Sequence, residues 1–276
     1  MSPLTGPVRA RPGSAPVGYG DVVTRPVGEQ LRQWRDRRRL SQLELAIRAD
    51  ISTRHLSFVE TGRSAPSRTM LLHLADELEV PLRERNRMLL AAGFAPVYPE
   101  TTVDSPAFGA ILAGLRQVLA AYEPFPAAVL DSQWNLVDAN ASASLFTEGA
   151  AAHLLEPPIN VMRLSLHPDG LAARIVNVAA WRSHQLDRLR RQIAVSADET
   201  LSALYDELCS YGESSAHEPS PGDLALPLRI RHRGQELSFV TIVATFGTPY
   251  DVTVSELMIE SFLPADEATA AFLGPV

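Results

Sequence analysis

The groups best spaced to recognise another molecule lie in residues 40–63, where two short helical patterns flank a turn. Ser41 is an N-cap for the first, Gln42–Ala49, whose apolar stripe is Leu43, Ala46 and Ile47. Ser52 caps the second, Thr53–Glu60, and Gly62 ends it. Leu56 and Val59 form its inner face, while Thr53, Arg54, Ser57 and Phe58 project away. A capped helix of two turns, held by another helix, can enter a DNA major groove with its first residues on base edges. The chemistry offered is base-edge contact.

Bond-breaking chemistry finds no comparable set. Ser165, His167 and Asp169 have the residue types of a triad, but neighbours in sequence do not align as nucleophile, base and orienter without a special turn. No nucleophile-elbow motif, phosphate-cradling loop or His/carboxylate metal spacing is present. His153, His167 and His184 are too scattered along the chain to define a metal site. Cys209 is the only cysteine, which excludes an intramolecular disulfide and a cysteine-built metal centre and fits a reducing cytoplasm. The expectation is a protein that is not an enzyme, with no catalytic residue, metal or cofactor.

The positioning elements fall into two domains, the default for 276 residues. Residues 1–25, with four prolines, four glycines and three arginines, read as a flexible basic arm. Residues 26–95 hold five helical patterns and no strand pattern, an all-α domain. The first is Val27–Arg39 around Leu31 and Trp34; Ser67 caps the fourth, and the fifth runs from Leu82 to Ala92. Residues 96–104, with Pro96 and Pro99, form a stiff connector. Residues 105–265 begin with a helix over Pro106–Tyr122 and then mix strands and helices. Strands are predicted at Ala127–Leu130, Trp134–Val137, Leu224–Arg231, Glu236–Phe246 and Val252–Phe262, around a helical section over 160–210. That order implies an antiparallel α+β sheet, followed by a tail over 266–276.

Charge divides the same way. Residues 1–95 carry 15 arginines against 10 acids, and residues 96–276 carry 10 against 22, within a net charge of −7. A basic module for a polyanion followed by an acidic domain with another task fits this asymmetry. No apolar run approaches the roughly 18 residues of a membrane span. The opening Met-Ser-Pro-Leu-Thr lacks the pattern of a secretory signal, so a cytoplasmic location is expected.

Residues 26–93 closely resemble the helix-turn-helix of the phage-repressor-like, xenobiotic-response-element family. Ser41-Gln42, Glu44-Leu45-Ala46, Ser52, Val59-Glu60, Gly62 and Pro66-Ser67 carry the likeness. It implies that Gln42 serves phosphate contact and helix positioning, and that Thr53, Arg54, Ser57 and Phe58 read bases. Arg54 suits a guanine fork, and Thr53 and Phe58 suit thymine methyls. Arg63 and Arg68 are candidate phosphate anchors, and His55 either reaches a phosphate or is solvated. Asp50 stands where the family has glycine, and Asp tolerates left-handed backbone. Arg35 and Glu60 match a family ion pair. The alternative for Arg35 is a solvated cation among Arg32, Arg37, Arg38 and Arg39, surface charges with some phosphate role; Glu60, however, faces inward and needs a partner.

Residues 105–265 resemble the ligand-binding domain of MmyB-like transcription regulators, a PAS-like fold. The likeness rests on Glu123-Pro-Phe-Pro126, on residues 131–140 and 160–170, on Ile175–Arg182 and on Phe246–Thr253. It implies a cavity for a small, largely apolar or fatty-acid-like molecule. Arg182 interrupts the apolar stripe Leu171, Ile175, Val178, Leu186, Leu189, Ile193, and must snorkel, pair with a carboxylate or meet a ligand anion. Arg163 and His167 flank the same turn and share those alternatives. Trp134 and Trp181 are core or cavity lining; Asn140 and Asn160 are helix caps or ligand contacts.

Together these features predict a transcription regulator whose partners are double-stranded DNA, a small apolar or amphipathic ligand and a second copy of the chain. The competing reading keeps DNA binding but gives the PAS-like domain only dimerisation or partner recruitment, without a ligand.

Overall fold

The computed structural model describes residues 25–103, 105–196, 198–213 and 225–274. The arm expected over 1–25 lies, except for Arg25, outside the described residues, as does Leu224.

Five helices form the first domain: α1 (Val27–Arg37), α2 (Gln42–Arg48), α3 (Thr53–Glu60), α4 (Arg68–Glu77) and α5 (Leu82–Ala91). Local signals set their limits. The Ser41 hydroxyl accepts the Glu44 N–H at 3.1 Å while the Glu44 carboxylate accepts the Ser41 N–H at 2.7 Å, a reciprocal cap for α2. Ser52 and Ser67 cap α3 and α4 through the N–H groups of His55 and Met70. Asp50 adopts φ 50°, the left-handed turn its short polar side chain tolerates. Leu31, Trp34, Leu45, Leu56, Leu71, Leu74 and Leu89 fill the core. A Cβ on Gly28 would lie 2.4 Å from the Val59 carbonyl oxygen, so this glycine lets α1 close onto the end of α3.

The stripe predicted for α2 is rotated. Leu45, Ala46 and Ala49 are buried, whereas Leu43 is 58% exposed and Ile47 71% exposed. Two faces of so short a helix satisfy a helical period, and packing on α3 and α4 selects the one through Leu45.

The second domain runs from α6 (Pro106–Ala121) through β1 (Ala127–Leu130), β2 (Leu136–Ala139), α7 (Ser144–Thr147), α8 (Val161–Leu166), α9 (Val178–Ser196) and α10 (Glu199–Cys209). It ends with β3 (Leu228–His232), β4 (Gln235–Thr245), α11 (Val252–Ser255), β5 (Met258–Pro264) and α12 (Glu267–Leu273). The sheet is antiparallel throughout, in the order β2-β1-β5-β4-β3. Phe108, Leu115 and Leu119 of α6 pack with Ala127 and Val129 in one cluster. Helices α8, α9 and α10 pack with Phe239 and Leu237 in the larger cluster, built on Trp134, Trp181, Leu189 and Leu204.

Several boundaries differ from expectation, and β3, expected from Leu224, starts at Leu228, with residues 225–227 outside the strand. Trp134 lies before β2, in a turn at φ 66°. The last strand starts at Met258, because the Asp251 carboxylate accepts the Val254 N–H at 3.1 Å and turns the β-branched run Val252–Ser255 into a helical turn. Where a tail was expected, α12 packs on β4 and β5, with Thr269 fully buried and its hydroxyl accepting the Ser238 N–H at 2.9 Å.

The connector is anchored at both ends. The Asn86 side chain of α5 accepts the N–H groups of Val97 and Tyr98 and donates to the Tyr98 carbonyl. Farther along, the Pro99 carbonyl accepts the Val252 N–H at 2.8 Å, and Thr101 donates twice to Asp251.

Candidate DNA-reading helix and ligand-domain cleft

Helix α3 is fixed from behind by one buried charge network. Arg35 Nε donates to Glu60 Oε1 at 2.7 Å and Nη2 to Oε2 at 3.1 Å, and Gln42 Nε2 donates to the same Oε2 at 2.7 Å. The Glu60 side chain is 1% exposed and that of Arg35 9%. Hydrogen bonding to Glu60 raises the Arg35 pKa against the opposing cost of burial, so the guanidinium stays charged. Gln42 thus orients α3; its amide is engaged inside the domain.

In front, Arg54 is exposed and its guanidinium lies 5.3 Å from the Phe58 ring, with Arg63 on the same ring at 5.8 Å. Stacking of this kind holds a planar fork ready for a planar acceptor. Thr53, Ser57 and Phe58 are half-buried on the same helix, and Arg63 and Arg68 are exposed beyond it. His55 is half-buried and sets Nε2 3.3 Å from the Met70 sulfur. Arg38 is likewise not plain surface charge, because it donates to the carbonyls of Leu78 and Glu79 at 2.8 Å and closes the end of α4.

In the second domain, Arg163, His153, Asn160, His167, Glu207 and Tyr211 line an open cleft of about 200 Å³. Arg163 makes a two-pronged pair with Glu207, both distances 2.7 Å. The Tyr211 hydroxyl also donates to Glu207. The bond from Arg163 holds the Glu207 carboxyl below the usual range. Burial and that carboxylate push the Tyr211 phenol up to about 12, so it remains a donor. Glu207 had no distinguishing sequence signal; it lies on α10, far along the chain from Arg163.

His153 and His167 come together despite their separation in sequence, because the Asp169 carbonyl accepts the Ala151 N–H at 2.9 Å. With Asp169 they place three ligand atoms within 4.8 Å of one another. The expectation that these histidines are too scattered to meet is therefore corrected for this pair. His167 Nδ1 already accepts the Asp169 N–H at 3.0 Å, so the acceptor lone pair of the neutral ring is engaged in the turn. His184 stands apart, against Trp181. Ser165 accepts the Trp181 indole N–H at 3.1 Å.

Arg182 is buried, so it does not snorkel, and its polar contacts among the described residues are to main-chain oxygens rather than to a carboxylate. Its Nη1 donates to the Glu213 carbonyl at 2.8 Å, and Nη2 lies 3.4 Å from the carbonyls of Leu166 and Tyr211. The Leu166 carbonyl ends α8 and that of Tyr211 lies two residues past α10, where carbonyls lack helical partners, while that of Glu213 belongs to the segment after α10. Trp134 and Trp181 are both 2% exposed; the Trp134 indole donates to Gln192 at 2.7 Å. Asn140 and Asn160 act as caps, for the turn at Ala141–Ala143 and for α8.

A helical module presenting a fixed, arginine-bearing helix, joined to an α+β domain with a side-chain-lined cleft, defines a DNA-binding regulator with a sensory domain. Residues 26–88 match the family model for a helix-turn-helix domain, and residues 111–274 match that for the MmyB-like transcription regulator ligand binding domain. The second match covers more than half of the chain, which belongs to that family. Both matched families are regulatory rather than enzymatic. No match was found among curated proteins. Among the described residues, no helix is long and apolar enough to cross a membrane.

Proposed function

We propose that the chain is a one-component regulator of the xenobiotic-response-element type that binds double-stranded DNA as a homodimer and adjusts its hold to a small amphipathic, fatty-acid-like molecule. The observation that carries DNA reading is the division of labour on α3. Glu60 is buried under Arg35 and Gln42, while Arg54 is exposed over Phe58. Arg54, Thr53, Ser57 and Phe58 take base edges in this reading, and Arg63 and Arg68 take phosphates. Such work belongs in the cytoplasm. One module spans only a half-site, so a dimer multiplies affinity through effective concentration. The second domain supplies the pairing surface, and its strand order supports a PAS-like fold.

For the ligand, Arg163 and His167 stand at the cleft and serve the head group, while Trp134, Trp181 and Arg182 hold the surrounding core. One observation favours the second reading, a domain that only dimerises or recruits a partner: Arg163 is already matched by Glu207. Native mass spectrometry of the purified full chain separates the two. A copurified small molecule, and melting temperatures that rise with the length of added carboxylic acids, support sensing. A bare mass with no such shift supports the ligand-free reading.

A further inference from the structure

We propose that the turn between β1 and β2, residues Asp131–Asn135, couples the ligand domain's helices to the DNA-binding domain, with Arg83 of α5 as the receiving group. The inference rests on the ligand-responsive reading, because it names the route by which a sensory change would reach α1–α5.

On the receiving side, Arg83 Nε and Nη2 donate to the two oxygens of Glu256 at 2.7 and 3.0 Å, and Nη1 donates to Glu100 at 2.5 Å. Planar two-pronged pairing fixes direction as well as distance. Ser132 Oγ donates to the same Glu256 at 3.3 Å. One carboxylate therefore touches the DNA-binding domain and the turn together.

On the sending side, three helices end polar contacts on three consecutive residues. Gln192 of α9 donates to the Ser132 carbonyl at 2.8 Å and accepts the Trp134 indole N–H. Gln133 donates to Asp198, the N-cap of α10, and its carbonyl accepts Asn160, the N-cap of α8, at 2.8 Å. Arg188 of α9 covers the Trp134 ring at 4.4 Å. Helix α8 also bears Arg163 of the cleft, and α10 bears Glu207.

The turn has the character of a switch. Trp134 holds φ 66°, a region that bulky side chains enter only when their surroundings compel it. The compelling contacts are those from α8, α9 and α10 together with the turn's own bonds, in which the Asp131 carboxylate accepts the Gln133 and Asn135 N–H groups. If they loosen, the backbone has a less strained alternative, and Ser132 moves relative to Glu256. A bistable element biased from both sides is what coupling between domains requires.

The test needs no ligand, so it stands or falls separately from the sensing assay. Hydrogen exchange is followed in the full chain for wild type, Gln192→Ala, Arg83→Met and the double variant. Gln192→Ala should speed exchange of α5 amides by about five-fold or more while α3 stays protected, a local rather than global opening. Arg83→Met should do the same, and the double variant should add nothing further in α5. Unchanged α5 exchange in Gln192→Ala, or independent and multiplicative effects, would overturn the coupling. If Gln192→Ala opens the whole chain, Gln192→Glu, which keeps the acceptor for Trp134 but removes the donor to Ser132, is read by the same criterion. The charge swap Arg83→Glu with Glu256→Arg should restore part of the protection that Arg83→Glu alone removes.

Discussion

Arg35 and Arg182 are buried arginines, one in each domain, and they are held in opposite ways. Arg35 meets a carboxylate that is itself buried, so each charge depends on the other. Arg182 meets main-chain carbonyls at the end of α8 and in the segment that follows α10. The first arrangement locks two helices in a defined orientation, which a base-reading surface needs. The second ties helix ends together without introducing a buried anion. A buried cation in an apolar stripe therefore marks a demand for oxygen atoms, and here main chain meets part of it, at Nη1 and Nη2, while Nε has no partner among the described residues.

The largest effect should come from breaking the Arg35 pair on one side. Glu60→Ala leaves the buried Arg35 guanidinium only the exposed Asp36 and the Leu40 carbonyl, and should cost about 3 kcal/mol in urea unfolding of the first domain. Replacing both partners, Arg35→Met with Glu60→Leu, should recover most of that loss, because no buried charge then lacks a partner. A double variant as weak as Glu60→Ala would mean that the network itself, rather than the stranded charge, sets stability.

Arg182→Met should be milder, about 1–3 kcal/mol, the cost of leaving buried carbonyls without donors. It should leave any preference for carboxylic acids over their alcohols unchanged in thermal-shift measurements. Loss of that preference in a folded variant would return Arg182 to the ligand site.

A smaller effect is expected at an N-cap of the reading helix. Ser52→Ala removes the acceptor for the His55 N–H and should cost about 1 kcal/mol by chemical denaturation.

The smallest is a pH dependence confined to the second domain. Burial holds the His232 imidazole below its ordinary 6.5, against the weaker pull of Glu148. The folded chain binds this proton less readily than the unfolded one. The stabilising contribution is therefore full above 6.5 and declines as pH falls through 6.5 towards the depressed folded value. The melting temperature of wild type should fall across this window more steeply than that of His232→Gln. His184, also held down by burial, accounts for part of the slope that remains.

The two domains were not equally legible in the sequence. Helix limits in the first are written in local signals, the caps Ser41, Ser52 and Ser67 and the turn at Asp50, so five helices and the outward face of α3 could be read directly. The buried face of α2 could not, since Leu43 and Ile47 satisfy the period as well as Leu45 and Ala49 do. In the second domain, β1 and the caps Asn140 and Asn160 were legible for the same local reason. The start of β5 was hidden, because a β-branched run became a helical turn only through the Asp251 cap. Arg182 stood out as an anomaly, but its partners are backbone atoms brought from distant segments, which no side-chain pattern announces. Glu207 and Glu256 are ordinary acids until folding sets them against Arg163 and Arg83.

Base reading by Arg54 on the fixed helix α3 is open to direct measurement. DNA selected from a random pool by the full chain supplies the site, and binding is then measured for wild type and Arg54→Ala on the selected duplex and a scrambled one. Wild-type affinity should fall steeply with salt on both duplexes, since phosphate contacts release counterions. Arg54→Ala should lose about 1–3 kcal/mol per contacted base pair on the selected duplex and far less on the scrambled one. Equal losses on the two duplexes would reduce Arg54 to a phosphate contact and contradict the account.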